Sequence, residues 1–543
     1  MVININDDRM IMEFLSGRYL GVPDGHAVYM NYPLTGLLAA LYRILPNVDW
    51  YGYFLVAVMG ICALLVAYRI AGTASERSKK WIYMLAAIGV CTFAMGREFF
   101  SITYTTVAAI SGATAVFWYG TGKEHRSDVM ITAILGVLTW CIRDELFLMI
   151  VPASGLIWLL KQLPKKEKLW KKFVLPSAVF GSVAVCMLIN QAMYSSEEWM
   201  DYQSFNELRT EIFDYQDIYY FPNYEEYAEY YDRLDLTNEE RRMLIYYNFI
   251  LVEDEIGRRE AIELFGKMIE YRDDYGVNEE LLPLGQRIPA ETKQFIRYTV
   301  TGAYGKLYSV ALFGFLLLIG WLLYKKQWKP LIEAILFMGS GMAMIWVMEI
   351  RGRMPERVVY SLSLVLFVTM VLNYFWNRKS LLKCRVMKPF IFAGILGCTV
   401  WGIWNCASTV IGNQPLIENM KELETIQNYC NTKDENFYFV TGEVLDEYGG
   451  VIGAPIKTNE QLNYVSTGDW ISYSPMEREK LTQKGIASAA EALLYDENMY
   501  LISVKDSANL KYVTDYLTLR NGSEVTAAEV ESLTEEFAVY KFE

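Results

Sequence analysis

Ten runs of roughly 15 to 23 mostly apolar residues punctuate the chain, near 50–72, 81–96, 102–119, 128–142, 146–160, 174–194, 306–324, 331–348, 357–376 and 389–411. Each approaches the roughly 20 residues a helix needs to cross a 30 Å hydrocarbon core, so the pattern predicts a polytopic α-helical membrane protein. The stretch ahead of the first run is polar but patterned. Met10, Ile11, Phe14 and Leu15 share one helical face, with Asn6 or Asp7 available as N-cap and Gly17 as terminator. A Gly and Pro loop, "GVPDGH" (21–26), leads to "YPLTGLLAALYRILP" (32–46), too short to span and read as an interfacial or re-entrant helix before the first span.

Charge orients the spans. The loops 75–80, 122–126, 161–172, 325–329 and 377–388 follow every second span and hold nineteen Lys and Arg. The positive-inside rule places them in the cytoplasm. The alternate turns hold only Arg97, Arg143, Arg351, Arg353 and Arg357. This parity puts 1–49, 195–305 and 412–543 on the outer, extracytoplasmic side. The expected organisation is a first external loop (1–49), a block of six spans (50–194), an external helical insert (195–305), a block of four spans (306–411) and a C-terminal external α/β domain (412–543). The insert is rich in Tyr and acids, and its aromatic residues suit amphipathic helices held at headgroup level. In the tail, short apolar strands at 437–442, 499–504 and 538–542 alternate with helical stretches such as 506–518.

Composition agrees: of 543 residues 53% are hydrophobic, while 63 acidic and 50 basic side chains remain, a mixture of spans and soluble pieces. The net charge of −13 argues against nucleic acid as a partner. Of eight cysteines six lie in spans, so neither a disulfide framework nor a zinc spacing can be built. Only His26 and His125 exist, on opposite sides by the parity, and no phosphate-cradling GxxxxGK[ST] loop is present. Carboxylate and arginine chemistry is what is left.

Those residues collect on the outer face. Asp7 and Asp8 open the chain, "GRE" (96–98) joins spans two and three, "RDE" (143–145) joins four and five, and "EIRGRMPER" (349–357) joins eight and nine. The two helices flanking 143–145 are about 22 Å long at 1.5 Å per residue, shorter than the core, so Arg143, Asp144 and Glu145 are expected below the headgroup plane. The plainer reading is satisfied hairpin ends, Arg97 with Glu98 and Arg143 with Asp144 or Glu145, and helix capping for one aspartate. Three such turns beside an aspartate pair favour a substrate path instead. Arginine offers a planar fork for phosphate, and aspartate a base or metal ligand. Adjacent helical residues point about 100° apart, so Asp7 and Asp8 have different jobs.

An aspartate-bearing first external loop, a short amphipathic helix, many spans and a C-terminal external domain resemble the GT-C membrane glycosyltransferases, with "DD" at 7–8 as the shared motif. The resemblance implies a polyprenyl-phosphate sugar donor, an external glycan acceptor, and Asp7 or Asp8 as catalytic base or metal ligand, with Mg²⁺ or Mn²⁺ as the compatible metals. Topology adds Arg97, Arg143, Arg351, Arg353 and Arg357 as donor-phosphate ligands, with Glu98, Asp144 and Glu145 as supporting acids. GT-C proteins carry a span before the acidic loop, so an eleventh, upstream helix is expected. The alternative is a transporter, flippase or polymerase of surface polysaccharide, which a broken helix in each half would favour. The discriminator is whether an aspartate and two of the arginines converge on one cavity.

Overall fold

The computed structural model describes every residue except 4, 5, 75, 76, 124, 215–219, 273, 276, 278–283, 353, 434, 446–449 and 454–460. Strand β1 (Val2–Ile3) precedes α1 (Asn6–Ser16), whose first turn carries Asp7 and Asp8 where carboxylates complement the positive end of the helix dipole. Met10, Ile11, Phe14 and Leu15 are buried, as their spacing requires. The helix ends at Gly17, whose φ of +82° is left-handed, and a Cβ there would meet the Pro23 nitrogen at 2.6 Å. Helix α2 (Tyr32–Ile44) carries Pro33 in its first turn and buries Leu34, Leu38 and Tyr42. Asp49 then caps α3 (Trp50–Ala71) by accepting from the Gly52 N–H.

The first block continues through α4 (Arg77–Phe100), β2 (Ser101–Ile102), α5 (Tyr104–Thr121), α6 (Arg126–Ile142) and α7 (Asp144–Gln162). A short α8 (Leu169–Lys172) turns the chain into α9 (Val174–Met193). Helix α5 is the centre of the bundle: every residue from Tyr104 to Gly120 is buried, and its Ala, Gly, Ser and Thr let α3, α6 and α7 approach closely.

The insert comprises α10 (Glu197–Asp214), α11 (Ala228–Leu234), α12 (Asn238–Ile245), α13 (Arg258–Tyr271) and α14 (Leu284–Thr301). Six of its aromatic residues pack inward rather than out at headgroup level as expected. Tyr202, Phe205, Tyr230, Tyr231, Phe249 and Phe265 are wholly buried, and Phe205 stands edge-on to Tyr473 of the tail with ring centroids 4.9 Å apart. Rings that stack on one another bury more apolar surface than rings lying in an interface, so the insert and tail share a core.

The second block is α15 (Gly305–Tyr324), α16 (Trp328–Ile350), α17 (Glu356–Lys383) and α18 (Met387–Thr432). Helix α18 has 46 residues, about 69 Å at 1.5 Å per residue. It runs without a break from the last apolar run into the tail, with Pro415 inside it. There β3 (Phe437–Val440), α19 (Gly442–Leu445), β4 (Gly450–Val451), β5 (Tyr464–Ser466), α20 (Pro475–Gln483), α21 (Ala489–Tyr495), β6 (Met499–Val504), α22 (Ala508–Asn521), β7 (Ala527–Ser532) and β8 (Phe537–Phe542) follow. The sheet order is β5-β3-β6-β8-β7, with β3 parallel to β5 and β6 and with β8 antiparallel to β6 and β7. Alternation along the strands divides its faces: Phe437, Phe439 and Leu501 join the core shared with the insert, while Tyr438, Val440 and Ile502 pack on Leu423, Ile426 and Cys430 of α18. A second sheet, β2-β1-β4, ties the N-terminus to the end of α4 and to the tail.

All ten apolar runs are helices. Seven of them, α3, α4, α9, α15, α16, α17 and α18, are long and apolar enough to cross a membrane by themselves. The other three, α5, α6 and α7, are the short or small-residue helices in and around the bundle centre. The protein is a multi-pass α-helical membrane protein with a helical insert and a small α/β unit.

Candidate active site

A polar cavity of about 830 Å³ opens where the turns α4–α5, α6–α7 and α16–α17 meet the insert and the tail. Asp7, Arg143 and Arg357 line it together. Each arrives from a different element: Asp7 from the first turn of α1, Arg143 from the extended residue between α6 and α7, and Arg357 from the first turn of α17.

The two aspartates part ways as their 100° offset demands. Asp8 is wholly buried, and its Oδ1 accepts from the Tyr51 hydroxyl at 2.5 Å and from the Tyr104 N–H at 2.9 Å. It pins α1 to α3 and to the start of α5 and is absent from the cavity lining. Burial pushes its carboxyl up to about 7, against the pull of those two hydrogen bonds. Asp7 faces the cavity. Burial raises its carboxyl too, opposed by the Arg357 and Arg143 guanidiniums.

Arg143 donates to the Tyr104 hydroxyl and pairs through Nε with Glu145 Oε2 at 3.2 Å. Its guanidinium also lies over the Tyr104 ring, 5.3 Å from the centroid. The remaining sequence candidates lie elsewhere. Arg97 pairs with Glu356 rather than with its neighbour Glu98, and neither Arg97 nor the buried Glu98 lines the cavity. Asp144 is exposed and its Oδ1 accepts from the Glu145 N–H; Arg351 is exposed as well. Arg353 lies outside the described residues. His26 is held by Asp24 at 2.7 Å and stacks on Trp199, behind the lining residue Tyr194 and outside the lining itself.

Several lining residues have no counterpart among the candidates. Arg209 of α10 is 3% exposed and donates to the Tyr29 hydroxyl at 3.2 Å and to Asn206 Oδ1 at 3.1 Å, with Asp214 at 3.4 Å. From the tail, Gly468, Asp469 and Trp470 form the loop just past the C-terminal end of β5, where open α/β sheets commonly place binding loops. Trp470 packs against Tyr29 with centroids 4.7 Å apart, and its carbonyl accepts from the Tyr202 hydroxyl at 2.6 Å. Gly468 is obligatory, since a Cβ would sit 1.6 Å from the Tyr247 carbonyl oxygen. The clue in sequence was the density of Tyr and acids in the insert; the strand ahead of "GDW" (468–470) falls between the expected strands at 437–442 and 499–504.

Six carboxylates, Asp7, Glu145, Glu207, Glu211, Asp214 and Asp469, face three guanidiniums, Arg143, Arg209 and Arg357. The guanidiniums can hold a phosphate, while the acids, tyrosines and tryptophan can accept hydroxyls and stack on the face of a sugar ring. Among the described residues no group of three or more His, Cys, Asp or Glu is arranged to hold a metal ion.

No protein-family model and no curated protein matches the chain. Among solved structures it is similar to ArnT from Cupriavidus metallidurans bound to undecaprenyl phosphate, with a TM-score of 0.38 and 10% identity over 99% of this chain and 94% of that one. The apo state of the same protein gives a TM-score of 0.35 at 10% identity, over 99% of this chain and 93% of that one. At these values the functional reading rests on the cavity itself.

Proposed function

We propose that the chain is a GT-C-type membrane glycosyltransferase that moves a sugar from a polyprenyl-phosphate donor to an external glycan acceptor, with inversion, on the outer side of a bacterial plasma membrane. The supporting observation is the convergence of Asp7 with Arg143 and Arg357 on one polar cavity, walled by the insert and the tail. The excess of Lys and Arg in the opposite loops orients this cavity outward.

In the reaction, Asp7 accepts the proton of an acceptor hydroxyl as that oxygen attacks the anomeric carbon. The bond from that carbon to the phosphate oxygen breaks, and polyprenyl phosphate leaves with the bonding electrons. Arg143 and Arg357 stabilise the charge that develops on it. A carboxyl raised by burial is a stronger base than a solvated one, and the two guanidiniums oppose that rise by favouring its charged form. Arg209 and Asp469, held by the insert and the tail, face the acceptor. Asp8 is a positioning residue that fixes α1. The transport alternative has less support, because among the described residues each of the ten apolar runs forms one continuous helix, whereas transport sites are typically built on discontinuous ones.

The test is sugar transfer in proteoliposomes supplied with polyprenyl-phosphate sugars. Asp7→Asn is expected to lower turnover by about 10²- to 10⁴-fold, the usual worth of a general base. Arg143→Glu is expected to weaken donor use, read as a raised donor KM. Parent-level transfer by Asp7→Asn would refute the assignment.

A further inference from the structure

A second large cavity runs along α6 and α9, with its mouth at the end of these helices away from the candidate site. It is a groove of about 970 Å³ between one face of α6 and one face of α9. Val129, Ala133, Val137 and Cys141 recur at helical spacing along the α6 side, and Leu175, Ala178, Ser182 and Cys186 along the α9 side. From Arg126 to Cys141 the groove extends about 22 Å at 1.5 Å per residue, long enough for one acyl chain. It closes where the Cys141 and Cys186 thiols meet beneath Pro33 and Leu34 of α2. Its lining shares no residue with the cavity that holds Asp7.

The mouth is basic. Lys123, Arg126, Lys165, Lys171 and Lys172 surround it, contributed by the α5–α6 loop, the start of α6 and the α7–α9 connection. Among the described residues Glu167 is the one acid in the lining; Asp128 on α6 is not in it, pairing with Arg69 at 2.5 Å and accepting from the Lys123 N–H at 2.9 Å. Loop cations that only oriented the spans would have no reason to gather round the end of an apolar slot. Five cations at the mouth and hydrocarbon-lined walls behind match a molecule with an anionic head and a single long apolar chain in the slot.

We propose that the α6–α9 groove is a binding site for an anionic phospholipid of the leaflet on the basic side, its phosphate among Arg126, Lys171 and Lys172 and one acyl chain lying between the helices. The occupied groove props α9 against α6. Without it α9 has little protein to lean on, since Val183 is its one buried helical position. Its far end supplies Asn190, whose side-chain oxygen accepts from the Tyr32 N–H at 2.7 Å, beside the candidate site. The site stands whether or not the chain transfers sugar.

Delipidated full-length protein, examined by native mass spectrometry, is titrated with phosphatidylglycerol and with phosphatidylcholine carrying the same chains. Phosphatidylglycerol is expected to bind about tenfold or more tightly, since each basic side chain near an anionic head contributes on the order of 1 kcal/mol. The triple variant Arg126→Gln, Lys171→Gln, Lys172→Gln removes that preference and leaves phosphatidylcholine binding unchanged. Ala178→Trp, which fills the slot, abolishes retention of both lipids. Equal binding of the two lipids by the parent would overturn the proposal. So would displacement of phosphatidylglycerol by millimolar inorganic phosphate, which marks a simple anion site. Displacement by polyprenyl phosphate, with no effect of the triple variant, would make the groove a path for the donor's tail and overturn it equally.

Discussion

Asp8→Asn is the sharpest test of how the two aspartates divide their work. Asparagine keeps an oxygen that can accept from the Tyr51 hydroxyl and the Tyr104 N–H, so the pin between α1, α3 and α5 survives. What disappears is an ionisation. The carboxyl is raised from 3.8 to about 7 by burial, so its neutral form is favoured in the folded protein. The stability that this provides is fully present below the unfolded value near 3.8 and is lost as pH rises through about 7. One proton corresponds to a slope of about 1.4 kcal/mol per pH unit, or about 4 kcal/mol across the window. Thermal unfolding in detergent, followed by tryptophan fluorescence between about pH 4.5 and 8, reads this directly. The parent melts progressively lower across the window. Asp7 titrates in the same sense, so the readout is the difference between the two curves: Asp8→Asn should gain on the parent as pH rises, by several degrees in Tm by about pH 7. Parallel curves would show that Asp8 is not held in the buried, two-bonded state and would undo the division of roles.

Two further outcomes follow from the tail. Gly468→Ala drives a Cβ onto the Tyr247 carbonyl, so the loop bearing Asp469 and Trp470 must move. A cost of about 1–3 kcal/mol and faster proteolysis near 466–473 are expected, with unchanged cleavage and Tm arguing against that contact. Lys480 is wholly buried beneath the Tyr19 ring, its nitrogen 4.0 Å from the centroid and without a hydrogen-bond partner among the described residues. Burial lowers it from 10.5 to about 7, so its contribution is complete above 10.5 and is lost as pH falls through 7. Lys480→Met should therefore raise Tm most near about pH 6 and progressively less toward about pH 10, and a pH-independent gain would assign the effect to packing alone.

What could be read from sequence followed from short-range physics. The apolar runs, the buried face of α1 and the terminator at Gly17 depend on spacing within a few residues, and spacing survives without a structure. The α4–α5, α6–α7 and α16–α17 turns could be grouped because alternation of spans fixes which turns share a side. Their members could not be ranked: Arg143 and Arg357 reach the cavity, while Arg97 is taken by Glu356, 259 residues away in sequence. The far wall was illegible for the same reason. Arg209, Asp469 and Trp470 become neighbours of Asp7 only once Phe205 meets Tyr473 and Tyr202 bonds to Trp470, contacts that no local pattern encodes. The placement of the insert's aromatic rings failed on that point too, since a tyrosine-rich amphipathic helix looks alike whether it leans on headgroups or on another domain.

The continuity of α18 makes it a lever between the bilayer and the pocket. Near its far end Gln427 accepts from Arg18, donates to Glu13 of α1 and donates to the Tyr464 hydroxyl of β5, so one helix grips both the segment carrying Asp7 and the strand leading to Asp469. From residue 412 to 432 the arm is about 31 Å long, and a tilt of about 5° swings its tip by about 3 Å. Helices tilt to match hydrocarbon thickness. A thicker or thinner membrane would thus be felt at the mouth of the cavity as a change in its width, transmitted along one continuous helix.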